Sequence, residues 1–233
     1  MGGILYIVST PIGNPDDLTL RGRRILEQVD AVICEEQRVG STLLTHYALT
    51  KPLVELNEHT EPEQAAALVE RLVSGENLAL ISDHGTPLVA DPGSSLVSQA
   101  LAAGIRVVPI PGASSIIAAL VASGLPANRF RFLGQLPPKT EARRRALRQA
   151  ADFPETLVVL EAPYRLLPLL RSIADELGRA RRGAVACNLT MSDERMVRGT
   201  IGEILEQFER EPFKGEFVLV VEGRPRIPTL RRS

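Results

Sequence analysis

The sequence is poor in the residues that several protein classes require. It has no tryptophan and only 4% aromatic residues, so a surface that stacks many bases is not expected. Its two cysteines, Cys34 and Cys187, lie in apolar runs without metal-ligand spacing, which indicates buried reduced thiols rather than a metal site. No apolar run approaches the roughly 18 residues of a membrane span, and no leader peptide is recognisable. We therefore expect a cytoplasmic protein without membrane or metal partners.

What the chain does contain is enough apolar material for a sizeable core. Hydrophobic residues make up 44% and charged residues 24% of the 233 positions, which is typical of a globular protein. The net charge of −1 provides no overall basic field, so composition alone does not indicate a nucleic-acid partner.

Alternation of strand-like and helix-like segments predicts an α/β fold with two domains. Up to about Leu125, short apolar runs alternate with amphipathic stretches, including a short helix capped by Ser41. This pattern favours a mostly parallel sheet with flanking helices. From 126 onward strands outnumber helices, with one predicted strand over 183–190, which indicates a mixed sheet. We expect domains 1–125 and 126–233 with a ligand cleft between them, and a frayed basic tail from Arg224.

Polar clusters follow four predicted strands of the first half, where ligands bind in open α/β sheets. Ser82 to Thr86 fits either a pair of ordinary turns or a binding loop. The serines after Pro111-Gly112 fit either an anion site at a helix start or simple caps of a buried helix. Four clusters at one sheet edge are more than turns require. They are Thr10-Pro11, Glu35 to Arg38, Ser82 to Thr86 and Ala113 to Ser115.

An arginine-dense helix is predicted from Glu141 to Ala151. Its arginines fit either a solvated helix face or a contact with phosphate groups of a nucleic acid. No dinucleotide fingerprint, phosphate-binding loop or nucleophile elbow occurs in the chain.

Several motifs in order resemble the tetrapyrrole-methylase superfamily and, within it, the bacterial 16S ribosomal RNA (cytidine-2′-O)-methyltransferase branch. The resemblance runs from Leu5 to Gly223. Its main motifs are Leu5-Tyr-Ile-Val-Ser-Thr-Pro-Ile-Gly-Asn14, Ser82-Asp83-His84-Gly85-Thr86-Pro87, Asp91-Pro92-Gly93 and Val107-Val-Pro-Ile-Pro-Gly112. Supporting motifs are Asn57-Glu-His-Thr-Glu61, Gly134-Gln-Leu-Pro-Pro-Lys139, Glu161-Ala-Pro-Tyr-Arg-Leu166 and Lys214-Gly-Glu216.

The resemblance implies a homodimeric methyltransferase that binds S-adenosylmethionine and methylates 16S rRNA of the small ribosomal subunit. Many members carry a small helical C-terminal domain after the methylase core, and we expect this chain, whose sequence ends at Ser233, to lack that domain. The positions that match the family's cofactor contacts are Pro11, Ser82, Asp83, Gly85, Thr86, Ser114, Ser115, Glu161, Leu189 and Thr190.

A ribose hydroxyl is a weak nucleophile, so a general base or tight alignment must assist its reaction. Asp83, Glu36 and His59 are the candidate bases, and the sequence does not choose among them. The candidate substrate contacts are Arg38, His84, Arg144, Arg145 and Arg165.

The sequence departs from the family at Glu35-Glu36-Gln37-Arg38, His84 and Cys187-Asn188-Leu189-Thr190-Met191. Two alternative functions therefore remain, methylation of a small tetrapyrrole-like molecule and a non-catalytic paralogue that binds cofactor or RNA. A basic rim around the cleft would favour RNA, whereas a closed apolar pocket would favour a small macrocycle.

Overall fold

A computed structural model describes residues 2–224 of the chain, and the tail beyond Arg224 lies outside these described residues. The chain divides into two compact units, one ending at Ser114 and the other beginning at Ser115. Each unit contains one five-stranded sheet.

The first unit is built on a fully parallel sheet with the strand order β3-β2-β4-β1-β5. Parallel strands need crossover connections, and helices join most of them here, so the prediction of a parallel α/β sheet is confirmed. The strands are β1 Ile4–Val8, β2 Ala31–Cys34, β3 Leu53–Glu55, β4 Leu78–Ile81 and β5 Arg106–Ile110. The helices are α1 Leu20–Gln28, α2 Gln37–His46, α3 Glu61–Val73 and α4 Ser94–Ala102.

Helices cover both faces of this sheet. Leu78 and Leu80 of β4 belong to the apolar cluster on one face, whereas Ala79 and Ile81 belong to the cluster on the other. A strand buried on both faces reads as a continuous apolar run, which is why β4 is recognisable from sequence. Helix α1 begins at a normal cap, since the Thr19 hydroxyl accepts a hydrogen bond from the backbone N–H of Gly22.

The second unit contains a mixed sheet with the order β6-β7-β10-β8-β9, as the sequence predicts. Only β6 and β7 run parallel, while β10 pairs antiparallel with β7 and β8, and β9 antiparallel with β8. The strands are β6 Phe130–Gln135, β7 Thr156–Leu160, β8 Arg182–Cys187, β9 Arg195–Thr200 and β10 Phe217–Val221. The helices are α5 Ser115–Ala122, α6 Thr140–Ala150, α7 Leu166–Leu177 and α8 Ile201–Arg210.

Helix α5 packs on the second sheet, although the sequence-based division at Leu125 placed it in the first domain. Its residues Ile116, Ala119 and Leu120 share an apolar cluster with Val158 and Val218 of that sheet. Nearly all residues of α5 are apolar, so its amphipathic pattern carries no information about which sheet it covers.

Two local predictions are wrong. Ser41 does not cap a helix, because α2 already begins at Gln37 and Ser41 lies within it. Strand β8 ends at Cys187 rather than at Thr190, because Asn188 and Thr190 have φ angles of 46° and 66° and turn the chain away from the sheet.

Cys34 and Cys187 are buried free thiols, as predicted. Among residues 2–224, no helix is long and apolar enough to cross a membrane. The same part of the chain contains no group of three or more His, Cys, Asp or Glu side chains that could hold a metal ion.

Candidate functional site

The loops of the first unit that follow the strands lie at one edge of the sheet, because all five strands run parallel. The sheet order places the loop after β4 between the loop after β2 and the loop after β1. The polar clusters around Glu35, Ser82 and Thr10 are therefore neighbours in space, although they are far apart in the sequence.

Hydrogen bonds join three of these loops into one frame. The backbone N–H of Thr10 donates to the carbonyl of Gly85 at 2.8 Å, and the Thr10 hydroxyl donates to the carbonyl of Ser82 at 2.9 Å. The Thr86 hydroxyl donates to the carbonyl of Ala113 in the loop after β5, at 3.0 Å. Backbone carbonyls accept most of these bonds, so the frame fixes the path of the main chain.

Two glycines allow the backbone to pass closely at this edge. Gly85 has a φ of 88°, and a Cβ there would lie 3.0 Å from Cγ2 of Ile12. A Cβ on Gly112 would lie 2.8 Å from Cβ of Ser9, closer than side chains normally approach. The backbone therefore requires glycine at the predicted cofactor position Gly85, and it requires glycine at Gly112 as well.

The loop between β4 and α4 holds two more residues in an unfavourable conformation. Leu88 and Ala90 have φ angles of 72° and 73°, which cost side-chain-bearing residues about 1–3 kcal/mol each. Such strain persists only where surrounding contacts fix the backbone, and it clusters at ligand-binding loops. The loop from Ser82 to Gly93 therefore has the strained backbone that is typical of a ligand-binding loop.

Carboxylates gather where the loops after β2 and β4 meet. Burial raises the pKa of Asp83, as does the charge of Glu36, while a hydrogen bond from the Glu36 backbone N–H opposes the rise. Burial also raises the pKa of Asp91, against a hydrogen bond to Ser82. The pKa of Glu35 is raised by burial and then by the charge of Asp83. Ionising these groups together is unfavourable unless a cation binds.

Two carboxylate oxygens at this place have no hydrogen-bond partner among the described residues. They are Oδ1 of Asp83 and Oδ2 of Asp91, both buried. An unpaired buried acceptor destabilises a protein by roughly 1–3 kcal/mol. A ligand that places a hydrogen-bond donor against these oxygens would remove this penalty.

The three candidate bases do not all lie together. Asp83 and Glu36 are adjacent, since the Glu36 backbone N–H bonds to the Asp83 carboxylate. Glu36 and His59 are exposed and line an open cavity of about 430 Å³ at the ends of β2 and β3, together with Arg38. His84 is exposed beside Asp83, and its backbone N–H donates to the Ser82 hydroxyl at 3.1 Å.

In the second unit, Glu161 is a deeply buried carboxylate at the end of β7, with 5% of its surface exposed. Its Oε1 accepts hydrogen bonds from the backbone N–H of Ala162 at 3.0 Å and from Nη1 of Arg165 at 3.2 Å. Oε2 is buried without a partner among the described residues. Arg165, predicted to contact substrate, therefore also holds Glu161 in place.

The predicted positions Leu189 and Thr190 lie in the tight turn after β8. The backbone N–H of Thr190 donates to Oε2 of Glu194 at 2.6 Å. Ser115 is half-buried and opens helix α5, and Ser114 is the last residue of the first unit.

Most arginines of α6 have partners within the second unit. Arg143 is buried, and its Nε donates to the Ser172 hydroxyl at 3.0 Å. Arg144 pairs with Asp175 at 2.8 Å and with Glu176 at 2.7 Å. Arg145 is exposed and makes no ion pair in the described part of the chain, so its charge is the one left available to a phosphate.

The site residues expected from the sequence did not include Ser9, Asp91 or Gly112, and they included Glu35 only as part of a polar cluster. The Ser9 hydroxyl lies 3.1 Å from the Thr86 hydroxyl and ties β1 to the β4 loop. A polar residue directly after a buried strand was the available signal for Ser9 and Glu35, and the Asp-Pro-Gly turn was the signal for Asp91.

Comparison with known proteins identifies the family of this chain. The family described as Tetrapyrrole (Corrin/Porphyrin) Methylases matches residues 4–205. The chain is 46% identical to "Ribosomal RNA small subunit methyltransferase I" of Haemophilus influenzae, over 96% of this chain and 80% of that protein. The protein of the same name from Xylella fastidiosa is 46% identical over 95% of this chain and 82% of its own length.

A solved structure titled as uroporphyrin-III-C-methyltransferase from Thermus thermophilus shares the fold, with a TM-score of 0.65, 23% identity and 94% coverage of both chains. With a family model that covers most of the sequence and relatives that are nearly half identical, the chain belongs to the tetrapyrrole (corrin/porphyrin) methylase family.

Proposed function

We propose that the protein is an S-adenosylmethionine-dependent methyltransferase that modifies the ribose 2′-hydroxyl of a cytidine in small-subunit ribosomal RNA. The substrate class is supported by the two relatives named as methyltransferases of this RNA. The single structural observation that carries the proposal is the buried, unpaired Oδ1 of Asp83 within the hydrogen-bonded frame of the first unit.

The residues of this frame fit the cofactor. A carboxylate with a buried unpaired oxygen suits the ammonium group of the methionine part, and Asp83 provides it. Backbone at Pro11 and Gly85, where side chains are small or absent, suits the adenosine. When bound, the cofactor supplies a methyl group on a positively charged sulfur, already activated for transfer.

The chain's remaining task is to orient the acceptor hydroxyl and to receive its proton. Glu36 and His59 line the cavity at the ends of β2 and β3, and either side chain can position the hydroxyl or take its proton during the transfer. Arg38 in the same cavity supplies a positive charge for a phosphate. Alignment of the hydroxyl is the larger contribution, because the methyl donor needs no further activation.

The decisive experiment offers the purified enzyme small ribosomal subunits with radiolabelled cofactor and maps any methylated ribose. We expect label at a single cytidine, with Asp83→Asn as the impaired control. Label that enters a small tetrapyrrole but never the RNA would support the alternative acceptor. Absence of label in both, with normal cofactor binding, would identify a non-catalytic paralogue.

We also propose that the enzyme acts as a homodimer in the cytoplasm, where ribosomal subunits are found.

A further inference from the structure

One cavity of the second unit has no part in the proposed methyl-transfer chemistry. It has a volume of about 500 Å³, within the usual range for small-ligand pockets. It lies where the turn Pro163–Arg165 meets the segment after α8. Its apolar lining includes Tyr164, Leu166, Leu167, Phe208 and Phe213, and Lys214 stands in the same lining.

An aromatic ring at this cavity is exposed to solvent. Tyr164 has 77% of its surface accessible, an unusual position for a large ring in a chain with only 4% aromatic residues. The guanidinium carbon of Arg165 lies 5.3 Å from the centre of the Tyr164 ring, which holds a positive charge next to it. The ring is therefore a flat surface with a cation beside it.

Two further cations lie at the same place. The guanidinium carbon of Arg195 is 5.2 Å from the centre of the Phe213 ring. Neither Arg195 nor Lys214 makes an ion pair with any described residue, and Lys214 is exposed. Arg165 is balanced by Glu161. The cavity lining thus combines apolar walls with the uncompensated charge of Lys214, while Arg195 lies against the Phe213 ring without being part of the lining.

The chain is shaped to present Lys214 here. A Cβ on Gly215 would lie 2.3 Å from Oδ1 of Asn188 and 2.6 Å from Cζ of Phe213, so only glycine fits. The tight packing at Gly215 fixes the backbone next to Lys214, which lines the same cavity as Phe213. This explains the Lys214-Gly-Glu216 motif, which the chemistry of the cofactor site leaves without a role.

We propose that this cavity binds an unpaired nucleobase of the RNA acceptor, with Tyr164 as the stacking surface and Lys214 as the contact to a neighbouring phosphate. The inference rests on the proposed function in taking RNA as the acceptor. Proteins that recognise single-stranded RNA stack its bases on aromatic rings and place cations along its backbone. A nucleotide supplies both the flat apolar surface and the negative charge that the cavity lacks, whereas a purely apolar partner would leave the charge of Lys214 without a partner.

The inference is tested by the affinity for a single-stranded oligocytidine RNA of about ten nucleotides, measured by fluorescence anisotropy. Tyr164→Ala should weaken binding by about 5- to 150-fold, the effect of removing one base stack. Tyr164→Phe keeps the ring and should bind within about twofold of the wild type. Lys214→Gln should reduce the slope of log affinity against log salt by about 0.7, the value for one phosphate on a single strand.

The matched control for charge is Arg24→Gln, which removes an exposed arginine of the first unit and should change neither affinity nor slope. Cofactor affinity, measured by calorimetry, should be the same in all four variants. Equal RNA affinity of Tyr164→Ala and the wild type, or no RNA binding by the wild type, would overturn the inference. So would a change in dimer dissociation without loss of RNA affinity, since the cavity would then be a contact between copies of this chain.

A separate arm distinguishes this inference from the proposed function. If the wild type methylates small ribosomal subunits while Tyr164→Ala shows an unchanged KM for them, the proposed function is supported and the base-binding role of the cavity is refuted. If the wild type binds oligocytidine RNA through Tyr164 but methylates no ribosomal RNA, the cavity stands and the proposed reaction falls.

Discussion

Replacing Asp83 with asparagine should stabilise the free protein and weaken its binding of S-adenosylmethionine. In the free protein the Asp83 carboxylate is partly buried, lies near Glu36 and Asp91, and keeps Oδ1 without a donor. The amide of asparagine carries no charge and can still accept the hydrogen bond from the Glu36 N–H. The substitution therefore removes an unfavourable charge without removing the packing.

The gain in the free energy of unfolding should be about 1 kcal/mol, the low end of the penalty for a buried unpaired acceptor, because this side chain is only partly buried. For a chain of this length, that gain corresponds to a rise of about 2–4 °C in Tm. Cofactor affinity should fall by about 10- to 150-fold, which corresponds to roughly 1.5–3 kcal/mol for a lost charge-assisted hydrogen bond.

A second test is the pH dependence, because protein stability and cofactor affinity should change with pH in opposite directions. The pKa values of Asp83, Asp91 and Glu35 are raised in the folded protein, from usual values of 3.8, 3.8 and 4.5. Between the usual and the raised values, the unfolded chain loses these protons before the folded one does. The free protein should therefore lose stability as the pH rises through this window, while cofactor affinity rises because the ammonium group binds ionised Asp83.

Thermal unfolding and isothermal calorimetry from pH 4 upward measure both quantities. The control is Asp16→Asn, which removes an exposed carboxylate of the first unit. Asp83→Asn should flatten both slopes. A variant that is less stable than the wild type, or that binds cofactor equally well, would refute the assignment of Asp83 as the ammonium contact.

Four further outcomes are expected. His84→Ala should change acceptor turnover but leave cofactor affinity as it is, and unchanged turnover in a subunit methylation assay would reduce His84 to a turn residue. Gly112→Ala should lower Tm and cofactor affinity together, because the new Cβ would lie 2.8 Å from Cβ of Ser9, and a variant with wild-type calorimetry would contradict the close approach. Arg145→Ala should reduce the salt dependence of RNA binding. Arg144→Ala should mainly lower Tm, because it breaks the ion pairs with Asp175 and Glu176. A reduced salt dependence in Arg144→Ala but not in Arg145→Ala would show that these ion pairs open when RNA binds. Sedimentation at micromolar concentration should show a dimer, and a single 25.3 kDa species would exclude the homodimer.

The sequence by itself determined the succession of elements and the chemistry of the strand ends. Glycines mark several helix ends in the sequence itself, since α4 lies between Gly93 and Gly104 and α7 ends before Gly178. Strand β4 was recognisable because burial on both faces requires a continuous apolar run. Ser82, Asp83 and Gly85 could be assigned to a site because they follow that strand directly.

Only the tertiary structure decided which of these residues meet. Sheet order places the loop after β4 beside that after β2. Burial at this place raises the pKa of Glu35 and Asp83, and the carboxylates that the sheet order brings close together raise it further. The assignment of α5 to the second sheet depended on packing, because an almost wholly apolar helix has no preferred face. Packing also decides which arginines of α6 are paired, because the acidic partners lie some thirty residues away in the sequence. Local residue patterns define elements and their ends, whereas long-range packing decides which charges and donors are paired.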